Sequence, residues 1–141
     1  MSIVKKVERH VIGNEKILFR GKCRKSGRWI YGDLLKHGEN DYSIRKEGES
    51  YSVPVREETI GQYIGLKDYD GNRIFEGDII KVSRKSKCGF GDIYGLVVAE
   101  WDSKQKAFVL LPSDDYFDDI RMIAVVNNKY NNPDLYKEVI A

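Results

Sequence analysis

Cysteine and histidine are scarce in this chain, with two of each, and proline occurs three times. Cys23 and Cys88 stand far apart in unlike surroundings, so the sequence holds neither a disulfide framework nor paired zinc ligands at short spacing. Two free thiols in a reducing compartment is the plain reading. His10 and His37 are the only histidines, and His37 lies in a Lys-His-Gly-Glu turn where exposure is the default. Pairing His37 with either cysteine gives a nominal Cys/His dyad, but nothing flanking Cys23 or Cys88 activates a thiolate. No apolar run approaches the roughly 20 residues of a membrane helix. The opening Met1-Ser-Ile-Val-Lys-Lys-Val lacks the apolar core of a secretory signal. These absences predict a cytoplasmic protein with no membrane partner and no recognisable catalytic machinery.

What is present suits one folded domain. The 141 residues include 41% hydrophobic and 11% aromatic side chains, enough for a core and too many for a disordered segment. The formal net charge of +2 hides a gradient. Residues 1–30 carry nine Lys/Arg against two acids, residues 31–98 ten against twelve, and residues 99–141 five against eight. Such polarity steers an anionic partner toward one end, joins one copy's head to another's tail, or cancels within the monomer.

The hydrophobic period changes along the chain. Ile3, Val4, Val7, Val11 and Ile12 form a helical stripe closed by Gly13-Asn14, which predicts a helical or frayed extension over residues 1–15. From residue 16 onward the pattern is that of short strands. Residues 17–23 and 28–35 read as a hairpin about Lys25-Ser26-Gly27, and residues 41–45 and 51–55 as further strands, with Pro54 placing the last at an edge. Residues 56–64 read as either a helical turn or an extended crossing. Asp70-Gly71 and Glu76-Gly77-Asp78 are turns. Residues 79–82, 95–101, 107–111 and 120–126 are strands, residues 83–91 a polar loop, residues 112–119 an acidic loop, and Pro133 suits the first position of a terminal helix. Turns every eight to twelve residues indicate small barrels or a sandwich. The expected fold is therefore mostly β, with two small lobes. The first covers residues 16–58, a joint follows over residues 59–78, and residues 79–141 form a barrel-like lobe of SH3 type.

Familiar chemistry fails on spacing. Aligned on Gly71, a calcium loop would begin at Leu66 and end at Gly77, where a bidentate glutamate is required. Asp68 and Asp70 are turn residues first. Gly89-Phe-Gly91-Asp-Ile-Tyr-Gly95 puts its third glycine one place late and precedes a strand, so it is no dinucleotide fingerprint. There is no phosphate-binding P-loop and no Gly-x-Ser-x-Gly elbow. Asp114, Asp115, Asp118 and Asp119 would hold a divalent cation if they converged, which is the basis of a metal-dependent-enzyme alternative; a solvated loop is the plainer reading. No metal, cofactor or catalytic residue is assigned. Two basic clusters remain: Lys22, Arg24, Lys25 and Arg28 on one hairpin, and Lys81, Arg84, Lys85 and Lys87 before a loop. Trp29, Tyr31, Phe90 and Tyr94 lie near them, and basic loops with aromatics are what small β proteins use on nucleic acid.

The run Thr59-Ile-Gly-Gln-Tyr-Ile-Gly-Leu-Lys-Asp-Tyr-Asp-Gly-Asn-Arg-Ile-Phe-Glu-Gly-Asp-Ile-Ile resembles the YopX family of phage and prophage proteins. The resemblance reaches upstream to Phe19-Arg20 and Trp29-Ile-Tyr31-Gly32-Asp33. Downstream it takes in Gly95-Leu-Val-Val-Ala-Glu-Trp101-Asp102 and Asn131-Asn132-Pro133-Asp134-Leu135. Val126-Asn127-Asn128 departs from the family's Gly-Asn pair, which loosens the turn expected there. The resemblance implies a phage or prophage origin and a β-rich fold, with no catalytic residues to transfer. The expected function is a non-enzymatic binding or assembly module, self-associating through strand edges or charge polarity, or joined to a host or phage protein. The alternative partner is nucleic acid. Within the family stretch, Gln62 and Tyr63 are the side chains left open for a functional surface.

Overall fold

The computed structural model describes residues 3–5, 17–86, 89, 91–112 and 117–141, with the backbone alone for 3–5, 86 and 117–119. In chain order the elements are β1 (Ile3–Lys5), β2 (Phe19–Lys22), β3 (Trp29–Gly38), β4 (Asp41–Lys46), β5 (Val53–Val55), a 3-10 turn (Glu57–Thr59), β6 (Gly61–Lys67), β7 (Arg73–Phe75), β8 (Asp78–Ser86), β9 (Asp92–Asp102), β10 (Ala107–Leu111), β11 (Phe117–Asn128) and α1 (Pro133–Ile140). The fold is mostly β, in two antiparallel sheets ordered β1-β10-β9-β8-β11 and β5-β4-β3-β2-β6-β7. The chain divides into two compact units, Arg9–Tyr63 and Met1–Glu8 with Ile64–Ala141. The division falls inside β6, within the stretch read from sequence as a joint.

In the Arg9–Tyr63 unit, period-2 patterning works as expected. Phe19, Gly21 and Cys23 on β2 and beyond it, Ile30 and Leu34 on β3, Tyr42 and Ile44 on β4, and Val53 and Val55 on β5 point one way. Ile30, Ile44 and Val55 form the buried centre, with Phe19, Cys23, Leu34, Tyr42, Val53 and Ile60 packed round it. Each fully buried aliphatic side chain contributes about 2 kcal/mol of transfer free energy. The expected hairpin is present: Lys22 faces Trp29, Arg20 faces Tyr31 and Phe19 faces Gly32. At the start of the hairpin turn the chain meets β5, where Cys23 bridges Val55, Arg24 donates to the Pro54 carbonyl at 3.0 Å and Arg56 donates to the Lys22 carbonyl at 2.8 Å. Residues 56–64 combine both sequence readings, a three-residue 3-10 turn followed by a strand.

The other unit departs further from expectation. Residues 3–5, read as helix, form a strand antiparallel to β10; the rest of the proposed helix lies outside the described residues. Extended backbone prevails because β10 offers Ile3 and Lys5 a ladder, whereas a short isolated helix is marginal. The described strands form an open five-stranded sheet with β1 and β11 at its ends, and no closed SH3-like barrel is found among them. β8 continues to Ser86, so residues 83–86 of the expected polar loop are strand. It is held by pairing with β9 on one side and β11 on the other. β10 buries four consecutive residues, Ala107 to Leu110, so both of its faces are covered. Trp101 meets Phe108 edge to face at a centroid distance of 5.0 Å. α1 starts as expected, with Pro133 in its first turn and the Asn132 side chain accepting from the Leu135 N–H at 3.1 Å. The departure at residues 126–128 does not loosen the turn: Asn128 Oδ1 accepts from Tyr130 at 3.0 Å and from Asn131 at 2.8 Å.

Gly32 is fixed by close approach. A Cβ there would run into the Arg45 carbonyl oxygen on β4, and the glycine's φ of +158° lies at the edge of the range L side chains avoid. Gly38, at the far end of the same strand, has nothing within 4 Å of the equivalent position. Gly32→Ala is expected to destabilise the protein by about 3 kcal/mol or more, and Gly38→Ala by less than about 1 kcal/mol. Urea unfolding of the two variants checks this, and similar midpoints would refute it.

Candidate functional site

The family stretch is built for structure. Gln62 and Tyr63, left open as a functional surface, are 0% and 1% exposed, so the structure closes that option. Sequence patterning missed this because residues 61 to 64 are all buried, which removes the alternation that marks a solvent face. Asp68 is buried and its carboxylate is saturated. Oδ1 accepts from the Asp70 N–H at 3.0 Å and the Asn72 N–H at 2.8 Å. Oδ2 accepts from the Val125 N–H at 3.0 Å and Asn72 Nδ2 at 3.2 Å. Burial works against its ionisation, but the donors from Val125, Asn72 and Asp70 outweigh that and hold its pKa below the usual carboxylate value. Asp78 is likewise buried, with Oδ2 accepting from the Phe75 N–H at 2.8 Å across the Glu-Gly-Asp turn. Both acids are turn and tether residues.

Among the described residues no group of three or more His, Cys, Asp or Glu side chains is placed to hold a metal. Asp114 and Asp115 lie outside the described residues, and Asp118 and Asp119 are described by backbone alone. His37 belongs to β3, not to the turn, and its Nε2 lies 2.6 Å from Ser43 Oγ. Cys23 packs against the Ile30–Ile44–Val55 centre. Its thiol is lowered to about 7, first by the Ser26 hydroxyl, then by the Ser26 and Lys25 N–H groups, with Arg56 adding a smaller effect against partial desolvation. The nominal dyad partners of sequence are thus separately engaged. Cys88 and His10 lie outside the described residues.

The two basic clusters fall in different units. In the second, β8 carries Lys81, Arg84 and Lys85 as strand residues, not loop residues. Alternation puts Lys81 and Lys85 on one face and the half-buried Arg84 on the other. Lys81 Nζ sits 5.4 Å from the centroid of the exposed Tyr94 ring. Lys85 stands in register with Asp92 on β9 and with Asp118 on β11. Lys87 and Phe90 lie outside the described residues.

The first cluster is a continuous basic and aromatic surface on the β2–β3 hairpin. On the sheet face opposite the Ile30 centre stand Arg20 and Lys22 from β2, Trp29, Tyr31 and Asp33 from β3, and Arg45 from β4. Trp29 gathers two cations, with the Arg20 guanidinium carbon 4.5 Å and Lys22 Nζ 5.4 Å from its ring centroid. Arg20 is 5% exposed and Tyr31 is 44% exposed. Beside Tyr31, Arg45 pairs with Asp33 at 3.0 Å. Lys25 and Arg28 are exposed at the hairpin turn. Arg24 differs in role: its Nε reaches the Val55 carbonyl at 3.3 Å and a terminal nitrogen the Asn40 carbonyl at 3.0 Å, so it clamps backbone. Arg56 donates to the Arg24 carbonyl at 3.2 Å, which adds a cation beside the turn. Sequence reasoning passed over Arg20, Arg45 and Arg56. Arg20 was within reach, two residues before Lys22 and hence on its face; Arg45 and Arg56 needed the β3–β4 register and the Cys23–Val55 bridge.

Two outcomes follow from these environments. Because the folded pKa of Asp68 is depressed, its stabilisation is full above the unfolded value of about 3.9 and is lost as pH falls through the folded value. Asp68→Asn puts an amide donor against existing donors. It is expected to cost about 2–4 kcal/mol at pH 7 and to flatten the acid side of the Tm profile; an unchanged profile would contradict the tether. For Cys23, alkylation by iodoacetamide in a Cys88→Ser background is expected to rise with a midpoint near pH 7. A midpoint above pH 8.5, the ordinary thiol range, would contradict it.

No curated protein and no solved structure matches the chain. The family model described as YopX protein matches residues 4–137, nearly its whole length. The chain belongs to the YopX family.

Proposed function

We propose that this chain is a non-enzymatic binding module that meets a polyanionic partner through the β2–β3 hairpin. The observation that carries the reading is the grouping of Lys22, Lys25, Arg28 and Arg56 about one turn, with Lys22 set on Trp29. The register partners of Arg20 and Lys22 are Tyr31, Gly61 and Trp29, none of them acidic. The β8 cluster is weaker by the same measure, since Asp92 and Asp118 are the register partners of Lys85. An acid at the register position opposite a cation weakens that cation's pull on an anion.

Family membership suggests a phage-associated protein of uncharacterised function, and a polyanion of host or phage origin is consistent with that. Self-association by strand addition has less support. β1 is three residues long, and β11 has three register breaks, with its mid-strand Ile123 carbonyl bonded by the Tyr69 N–H at 3.4 Å. Short and bulged edges are poor templates for a second copy.

Heparin serves as a generic polyanion. The protein is expected to bind a heparin column at low salt and elute in a gradient, and the Lys22→Glu/Lys25→Glu/Arg28→Glu variant to elute far earlier. Glu57 and Glu58 sit on the 3-10 turn whose Thr59 Oγ1 accepts from the Lys22 N–H at 2.8 Å. Replacing both with Gln is expected to delay elution. Flow-through of the native chain, or elution indifferent to the triple variant, would refute the reading.

A further inference from the structure

We infer that the polyanion is a single strand of nucleic acid, with a base stacked on Tyr31 and phosphates on Lys22, Lys25 and Arg28. This rests on the hairpin reading above and adds the chemistry of the ligand. Polyphosphate or a sulfated glycan would call for cations alone. The hairpin presents an aromatic side chain among them: Tyr31 is 44% exposed, on the same strand face as Trp29. A flat sheet face bearing aromatics between basic side chains is the arrangement on which unpaired bases stack while their phosphates follow the cations.

Two further features fit a single strand. Same-face residues on a β-strand recur about every 7 Å, so Trp29 and Tyr31 form two aromatic steps with the cation Lys22 across from Trp29, while Arg20, across from Tyr31, is buried and serves Trp29. Trp29 carries Arg20 at 4.5 Å and Lys22 at 5.4 Å, which directs Lys22, and the more exposed Tyr31 is the ring a base can reach. The acid on this face, Asp33, is paired with Arg45 at 3.0 Å and so offers phosphate little repulsion. A duplex would use the cations but not Tyr31, because its bases are already stacked and β2 and β3 are interior strands of the sheet, not a free ribbon that could enter the major groove.

The test is fluorescence anisotropy with labelled oligothymidine, oligouridine and a DNA duplex of equal length, alongside heparin retention of each variant. Either single strand is expected to bind at least about tenfold more tightly than the duplex. Tyr31→Phe is expected to keep that affinity. Tyr31→Ala and the bulk-preserving Tyr31→Leu are expected to lose about tenfold while eluting from heparin unchanged. The triple charge variant should weaken both ligands and flatten the salt dependence of oligonucleotide binding, by about 0.7 in slope for each phosphate contact removed. Equal binding of duplex and single strand overturns the inference, as does indifference to Tyr31→Leu. Heparin retention without oligonucleotide binding, or with an acidic peptide bound in its place, overturns it too and leaves the hairpin reading standing. Loss of heparin binding in the native chain removes both.

Discussion

A buried carboxylate needs donors, and the way Asp68 obtains them organises the chain's central stretch. One oxygen closes the turn between β6 and β7 through Asp70 and Asn72, and the other reaches Val125 on β11. Turn geometry and the placement of β11 are thus fixed by one side chain. The next turn repeats the logic: Asp78 takes the Phe75 N–H, while Gly77 donates to the Ala99 carbonyl at 2.7 Å and accepts from Lys129 at 2.9 Å. Gly77 has a φ of +88°, and a Cβ there would lie 3.0 Å from Tyr130 Cε2. These residues leave two polar turns with their backbone groups satisfied next to the buried Ile79 and Ile80. The side chains of this stretch therefore serve buried backbone, and they say little about a ligand.

The strands were largely legible because period-2 alternation survives wherever one face meets the core and the other does not. Residues 17–55 fall in that class. Legibility failed where both faces are covered or where pairing overrides composition. Gln62 and Tyr63 looked open because a polar amide and a phenol beside glycines resemble a surface pair, yet burial on both sides of β6 absorbs them. Ser83, Arg84 and Lys85 looked like a loop because strand propensity is low there; the ladders to β9 and β11 supply what local preference lacks. The N-terminal stripe was compatible with a helix, and strand pairing with β10 took Ile3 to Lys5 instead.

The candidate surface was half legible. Lys22, Lys25, Arg28, Trp29 and Tyr31 stand together in sequence because a hairpin is a local structure. Lys81 and Lys85 looked equivalent in composition, and what separates the two groups is who stands across the ladder. Trp29 and Tyr31 stand opposite Lys22 and Arg20 in register, whereas the register partners of Lys85 are aspartates. That distinction is a matter of register, which composition does not contain. Arg24 shows the converse: a cation chosen for its charge is spent on the carbonyls of Val55 and Asn40.

The pairing of β1 with β10 has a bearing on how the chain is assembled. Residues 9–63 interrupt a unit whose first strand precedes them and whose partner strand comes much later. During synthesis the interrupting unit has every strand of its own in hand as soon as residue 63 emerges, and its contacts are mostly between neighbours in sequence. Ile3 must wait for Val109. β1, made before the interrupting unit, is thus among the last strands to find its place, and until then the outer edge of β10 is without its ladder partner.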